Sequence, residues 1–255
     1  RDRLRSRGLG DVYKRQVLLF LKVPVYIAVL SASAVYFIGT PGMNLSIFAQ
    51  KTISGAEGLS LLAIPFFVCA GIFMNYTGVT KRIMNCCEVL TARMPGGLAQ
   101  VNILLSTLMG GLSGSSLADA AMQCKMLVPT MESKGYSKSF STVITAASGM
   151  VVPLIPPGVG LIIYGCINNI SIGKLFIAGI GPGIVLCVTL MIFTHFLSKK
   201  RGYLPSRTTK IPVSEKIAAV RPAFLPLLLP IIIIGGVRIG VFTASEAGTV
   251  AIVYA

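Results

Sequence analysis

From residue 17 onward the chain is a succession of long apolar runs, and two adjacent runs are interrupted at their middles. An apolar run of about 20 residues crosses a bilayer as a helix. Unwound backbone at that depth is tolerated only where it is buried in protein or lines a wet cavity. The first interruption is Gly110-Gly111-Leu112-Ser113-Gly114-Ser115-Ser116, where three glycines loosen the backbone and three serines can partner the groups this frees. The second is Val151-Val152-Pro153-Leu154-Ile155-Pro156-Pro157-Gly158. Each proline there removes a donor and clashes with the preceding turn, so an unbroken helix is not expected.

Composition supports a membrane class. The chain is 54% hydrophobic and 12% charged, against about a quarter charged in soluble domains. Its net charge of +15 does not point to nucleic acid. Residues 1–16 hold part of that charge, and most of the rest lies in short links between apolar runs, where Lys and Arg mark the cytoplasmic side. No basic face carries interleaved aromatics for base stacking. The six cysteines are scattered without a CxxC pair, and His195 is the single histidine, which disfavours a metal centre built on thiolate or imidazole.

The expected order of elements follows from hydropathy and punctuation. Residues 1–16 read as a non-native, adapter-like leader outside the fold. Residues 17–80 supply scaffold helices: a crossing over 17–39, a short amphipathic piece over 44–54, and a second crossing over 59–77 kinked at Pro65. Residues 81–94 form a mixed-polarity helix on the cytoplasmic surface. Residues 98–131 form a helical hairpin that enters the bilayer and turns back at 110–116. Residues 140–168 are a broken crossing, 171–197 a further crossing, and 199–221 a basic cytoplasmic loop. A new span opens at Pro222, and Thr243…Glu246 has capping-box spacing before a last apolar run. The chain stops inside that run, so the expectation is a fragment. With 81–96, 132–138 and 198–221 inside, every basic cluster falls on one side.

Two broken helices in neighbouring segments can bind ions of both signs. Half-helix N-termini offer N–H groups and partial positive charge, while freed carbonyls and hydroxyls coordinate a hard cation. Oxygen-only surroundings favour sodium. The candidate site residues are Ser113, Gly114, Ser115 and Ser116 at the tip, Thr145 and Ser148 before the second break, and the backbone of Pro153, Ile155, Pro156, Pro157 and Gly158 within it. The alternative for the hydroxyls is local bonding to carbonyls inside spans. Asp119 is the one acid well inside an apolar stretch. It can serve as the capping partner of Ser116 or as an ion-binding or coupling group.

Five stretches, in order, carry a family resemblance: GGLSGSSLADAA, LVPTMESKGY, TAASGMVVPLIPPGVGLIIYG, SIGKLFIAGIGPG and KKRGY. The chain resembles, over about 17–255, the large membrane subunit of tripartite ATP-independent periplasmic (TRAP) transporters. The resemblance implies an all-α polytopic protein of the bacterial inner membrane, with inverted repeats and elevator-type movement. Residues 17–198 would be the first repeat and 222–255 the start of a truncated second. It implies a sodium-driven importer of carboxylates or other organic acids, with no cofactor beyond sodium as coupling ion. The implied partners are a small membrane subunit and a periplasmic substrate-binding protein.

Two other readings remain at this stage. A related organic-anion permease could work without a binding protein. Alternatively, Gly111-Leu112-Ser113-Gly114 has the G-x-S-G form of intramembrane serine proteases, with His195 as base. A nucleophile needs its base within hydrogen-bond reach. His195 ends a span beside the basic loop, far in depth from a mid-bilayer serine, so the enzyme reading is disfavoured.

Overall fold

A computed structural model describes residues 16–40, 44–205, 207 and 211–255. The expected leader lies almost wholly outside that set. All regular elements among the described residues are helical. They fall into two units, 1–58 and 59–255.

The first unit pairs α1 (Val25–Gly39) with α2 (Leu45–Ala56), the rings of Phe37 and Phe48 meeting at 5.7 Å between centroids. The expected crossing over 17–39 is not one helix. A turn at 21–24 interrupts it, with Lys22 at φ 59° and Pro24 at the N-cap of α1. Pro24 fits this place because an N-cap residue needs extended backbone and no helical N–H.

The second unit contains α3 (Ala63–Tyr76), α4 (Val79–Thr91), α5 (Gly97–Ser113), α6 (Ser116–Ser133), α7 (Lys138–Gly149), α8 (Val159–Asn168), α9 (Ile172–Lys200), α10 (Val213–Ile239) and α11 (Ala244–Tyr254). Short 3-10 turns at Leu59–Leu62 and Val152–Leu154 precede α3 and α8. Pro65 does not kink a span. It lies in the first turn of α3, where its missing N–H is one of the groups a helix start leaves unpaired anyway. The basic loop is shorter than expected, because α10 begins at Val213 with Glu215 in its first turn, where an acid favours the helix dipole. The Thr243 capping box is present: Thr243 N–H donates to Glu246 Oε2 at 2.8 Å, and Glu246 N–H to Thr243 Oγ1 at 3.3 Å.

α9 and α10 are long and apolar enough to cross a bilayer. The pairs α3–α4, bent by 71°, and α7–α8, bent by 41°, add up to two further spans if each counts as one. α9 shows the membrane pattern on its two faces. Gly173, Phe176, Gly179, Gly183, Cys187, Thr194 and Ser198 are buried, whereas Val185, Ile192, Phe193 and Phe196 are exposed. Small residues at a buried helix face allow close approach where lipid gives no hydrophobic drive.

α5 is the centre of the unit and is covered on nearly every side. Val101, Leu105 and Met109 enter one apolar cluster with α3, α4, α10 and α11, while Leu98, Ala99 and Ile103 enter another with α7 and α9. The remaining face carries Asn102 and Ser106, buried against α6 and α7.

The Pro-rich break sits in a slot bounded by glycines. On the α9 side, a Cβ at Gly179 would meet the carbonyl oxygen of Leu154 at 2.5 Å, and one at Gly183 would meet Ile155 Cδ1 at the same distance. The first clash is with backbone and the second with the tip of a side chain that can move. Gly179→Ala is therefore expected to lower thermal stability by about 1–3 kcal/mol, the usual range for overpacking, and Gly183→Ala by clearly less. Melting curves of the two variants check the ranking, and equal losses would refute it.

Candidate functional site

The two interruptions touch. Gly114, at φ +61°, ends α5 and donates its N–H to the carbonyl of Gly110 at 3.1 Å. Its own carbonyl accepts the N–H of Val159 at 3.2 Å, at the first turn of α8. A left-handed residue at this point is where glycine costs least. Space gives a second reason for glycine, since a Cβ on Gly114 would stand 2.7 Å from the Pro157 carbonyl oxygen. One turn earlier, a Cβ on Gly110 would stand 3.0 Å from Val152 Cα. On the far side, Gly149 at the end of α7 lies against the Ser116 carbonyl and Ala120.

Four helix ends therefore converge around the tip: the C-termini of α5 and α7 and the N-termini of α6 and α8. The first pair presents carbonyls and partial negative charge, and the second presents N–H groups and partial positive charge. Pro156, Pro157 and Gly158 are buried here, Pro153 and Ile155 half-buried, and the Pro156–Pro157 bond is cis.

The sequence-derived residues do not all gather at this point. Ser115 is the N-cap of α6, its hydroxyl accepting the Ala118 N–H at 3.5 Å, and Ser116 is half-buried beside it. The side chain of Ser113 is outside the described residues. Thr145 and Ser148 are fully buried but point to the middle of α5. Asn102 Nδ2 donates to Thr145 Oγ1 at 2.7 Å, and Ser148 Oγ donates to Asn102 Oδ1 at 2.7 Å. Each hydroxyl also reaches a carbonyl of its own helix, Thr145 to Ser141 and Ser148 to Thr145, both at 2.9 Å.

The capping role considered for Asp119 is not what the fold shows. With Ser115 at the N-cap, the capping partner position falls on Ala118, and Asp119 turns inward instead. Its Oδ2 accepts from Ser106 Oγ at 2.8 Å and from Gln123 Nε2 at 2.7 Å. Asn102, Ser106 and Gln123 were not among the candidates. The pattern that could have found them is polar residues one turn apart on each arm of the hairpin, 102/106 on α5 and 119/123 on α6. Gly179 and Gly183, also missed, follow the same four-residue spacing.

Comparison with known proteins places this architecture. Residues 15–255 match the family described as the tripartite ATP-independent periplasmic transporter, DctM component. The chain is 40% identical over 247 residues to the sialic acid TRAP transporter large permease protein SiaM of Vibrio cholerae, covering 97% of this chain and 57% of that protein. It is 41% identical over 233 residues to the 2,3-diketo-L-gulonate TRAP transporter large permease protein YiaN of Escherichia coli, covering 91% and 54%. To the ectoine TRAP transporter large permease protein TeaC of Halomonas elongata it is 37% identical over 240 residues, covering 93% and 56%. The chain spans about half the length of the curated relatives it matches.

Proposed function

The chain belongs to the DctM family of tripartite ATP-independent periplasmic transporters, and from that premise we propose that it is part of a sodium-coupled importer of small organic acids. The observation that carries this reading is the meeting of four helix ends where the Gly114 carbonyl receives the Val159 N–H. Carbonyls at the ends of α5 and α7 suit a dehydrated alkali cation, and the N-termini of α6 and α8 suit a carboxylate. The coupling ion would rest on the tip hydroxyls of Ser113, Ser115 and Ser116 and on carbonyls between Pro153 and Pro156. The backbone of Gly114, Pro157 and Gly158 would set the spacing.

Relatives named for sialic acid, 2,3-diketo-L-gulonate and ectoine point to small solutes bearing a carboxylate. The working assembly would include a small membrane subunit and a periplasmic binding protein in the bacterial inner membrane. The binding protein would select the solute. The first-repeat role of residues 17–198, and elevator movement of the hairpin and broken helix against the scaffold, are parts of the same proposal. The relatives are permeases, which leaves the pairing of Ser113 with His195 as protease nucleophile and base without support.

Uptake of a labelled organic acid into vesicles holding the permease, its small subunit and the binding protein tests the reading. Uptake is expected to require inward sodium and to fall at least tenfold when Ser113→Ala and Ser115→Ala are combined. Sodium-independent uptake would defeat the coupling proposal. Full uptake without the binding protein would replace it with a binding-protein-free permease.

A further inference from the structure

α9 ends by turning its last residues back over the root of the hairpin. Gly202, at φ +71°, donates its N–H to the Lys199 carbonyl at 3.2 Å, and Tyr203 donates its N–H to the Ser198 carbonyl at 3.0 Å. This pair of bonds is a glycine-terminated helix stop, which sends the next residue back across the final turn. Tyr203 therefore lands between two helix starts. Its carbonyl accepts the Gly96 N–H at 3.3 Å, at the N-cap of α5. Its hydroxyl accepts the Ser137 N–H at 3.1 Å and donates to Ser137 Oγ at 3.3 Å, at the N-cap of α7. The ring stacks on buried Tyr136 at 4.4 Å and lies 5.0 Å from buried Phe140, over which the Arg201 guanidinium sits at 5.4 Å. One residue thus grips both the entry to the hairpin and the link that leaves it.

From this root α5 and α9 run side by side in opposite directions. A Cβ on Gly96 would overlap Ser198, and one turn further along α5 the Gln100 amide donates to the Met191 carbonyl at 3.0 Å. At its other end α9 carries Gly179 and Gly183 against Leu154 and Ile155, in the break that Gly114 meets. At about 1.5 Å per residue, Gly96 to Gly114 covers about 27 Å, and Ser198 to the two slot glycines about 23–29 Å. Two rods of similar length are thus joined at the far end by the tip and the break, and at the near end by Tyr203. We propose that Tyr203 is a positioning residue: by pinning the hairpin root to α9, it sets the height at which the tip meets the Pro-rich break. A rigid helix passes a displacement along its length instead of absorbing it. With the root released, the tip leaves the break for part of the time, and any process that needs the two together loses that fraction. The consequence for transport rests on the function proposed above, whereas the pinning rests on these contacts alone.

Hydrogen exchange at the Val159 amide tests this in the purified permease, because the Gly114 carbonyl holds that N–H at the far end of the frame. Tyr203→Ala is expected to speed its exchange by about fivefold or more, with helix content unchanged. A role confined to the root would speed exchange at Gly96 and Ser137 and leave Val159 at the parent rate, and that result overturns the proposal. If Tyr203→Ala loses helix, Tyr203→Phe decides, since it keeps the ring stack and drops only the bonds to Ser137. Faster exchange at Val159 then supports the pinning, and a parental rate overturns it. Uptake into vesicles holding the partner proteins separates this from the transport reading. The variant is expected to raise half-saturating sodium several-fold while the maximal rate stays within about twofold of the parent. Faster Val159 exchange with parental uptake kinetics leaves the pinning standing and sinks the tip as the place of transport.

Discussion

Gly114→Val is expected to abolish sodium-dependent uptake and to lower the melting temperature more than any other single change at the tip. Two effects act on one atom. The backbone at 114 has φ +61°, a region a β-branched residue avoids and which costs an L-residue about 1–2 kcal/mol. The new Cβ would also stand 2.7 Å from the carbonyl oxygen of Pro157, a backbone atom in a segment already held by Gly179 on its other side. Neither partner can yield cheaply, so the tip must withdraw from the break. Withdrawal breaks the Val159 N–H···Gly114 carbonyl bond and separates the helix ends that would form the site. Gly114→Ala meets the same clash without the branched side chain and should retain part of both properties. Uptake and melting curves read together check this. A Gly114→Val permease that transports at the parent rate would show that contact between the two breaks is dispensable.

That contact is the part of the architecture the sequence announced most clearly. Glycine, serine and proline in mid-run can be recognised without a structure because Pro153, Pro156 and Pro157, crowded into five residues and followed by Gly158, weigh against helical backbone. Their meeting in space could be expected from adjacency, but the slot that holds them could not. Gly179 and Gly183 carry no side chain to mark a role, and their function appears only when Leu154 and Ile155 are seen pressed against them. The first crossing was misread for the opposite reason. Hydropathy averages over Lys22 and Pro24, whereas the backbone turns at those residues. The start of α10 before Pro222 was hidden because residues 213–221 are too polar for a span yet acceptable as helix.

The chemistry was legible in kind and less so in place. Hydroxyls near a break are natural ion ligands, and Thr145 and Ser148 fit that description by position. A one-dimensional reading cannot see that they lie one turn apart facing Asn102, which occupies both. Asp119 invited a capping assignment from its spacing to Ser116. The helix, however, starts one residue earlier, and that shift turns the carboxylate from the helix end to the hairpin interior. A polar residue on a buried helix face announces itself only through its partner on another helix.

The Asn102 contacts give the second large effect, through an asymmetry. Removing the asparagine strands little, since Thr145 and Ser148 can each fall back on a carbonyl of α7 at 2.9 Å. Asn102→Leu should therefore cost only the inter-helix bonds, about 0.5–1.5 kcal/mol each. Removing the hydroxyls is different. Thr145→Val with Ser148→Ala leaves the amide nitrogen and oxygen of a 0% exposed asparagine without their partners, at about 1–3 kcal/mol for each stranded group. The double variant should melt well below Asn102→Leu, and adding Asn102→Leu to it should restore stability rather than lower it further. Sodium binding gives the independent readout. If Thr145 and Ser148 serve only to hold α7 against α5, Asn102→Leu will retain the parent's sodium affinity. If they are ligands that Asn102 merely orients, that affinity will drop while the fold stays intact. The triple variant's melting curve decides the first question and the Asn102→Leu sodium isotherm the second, so a structural seam and an ion site cannot be mistaken for each other.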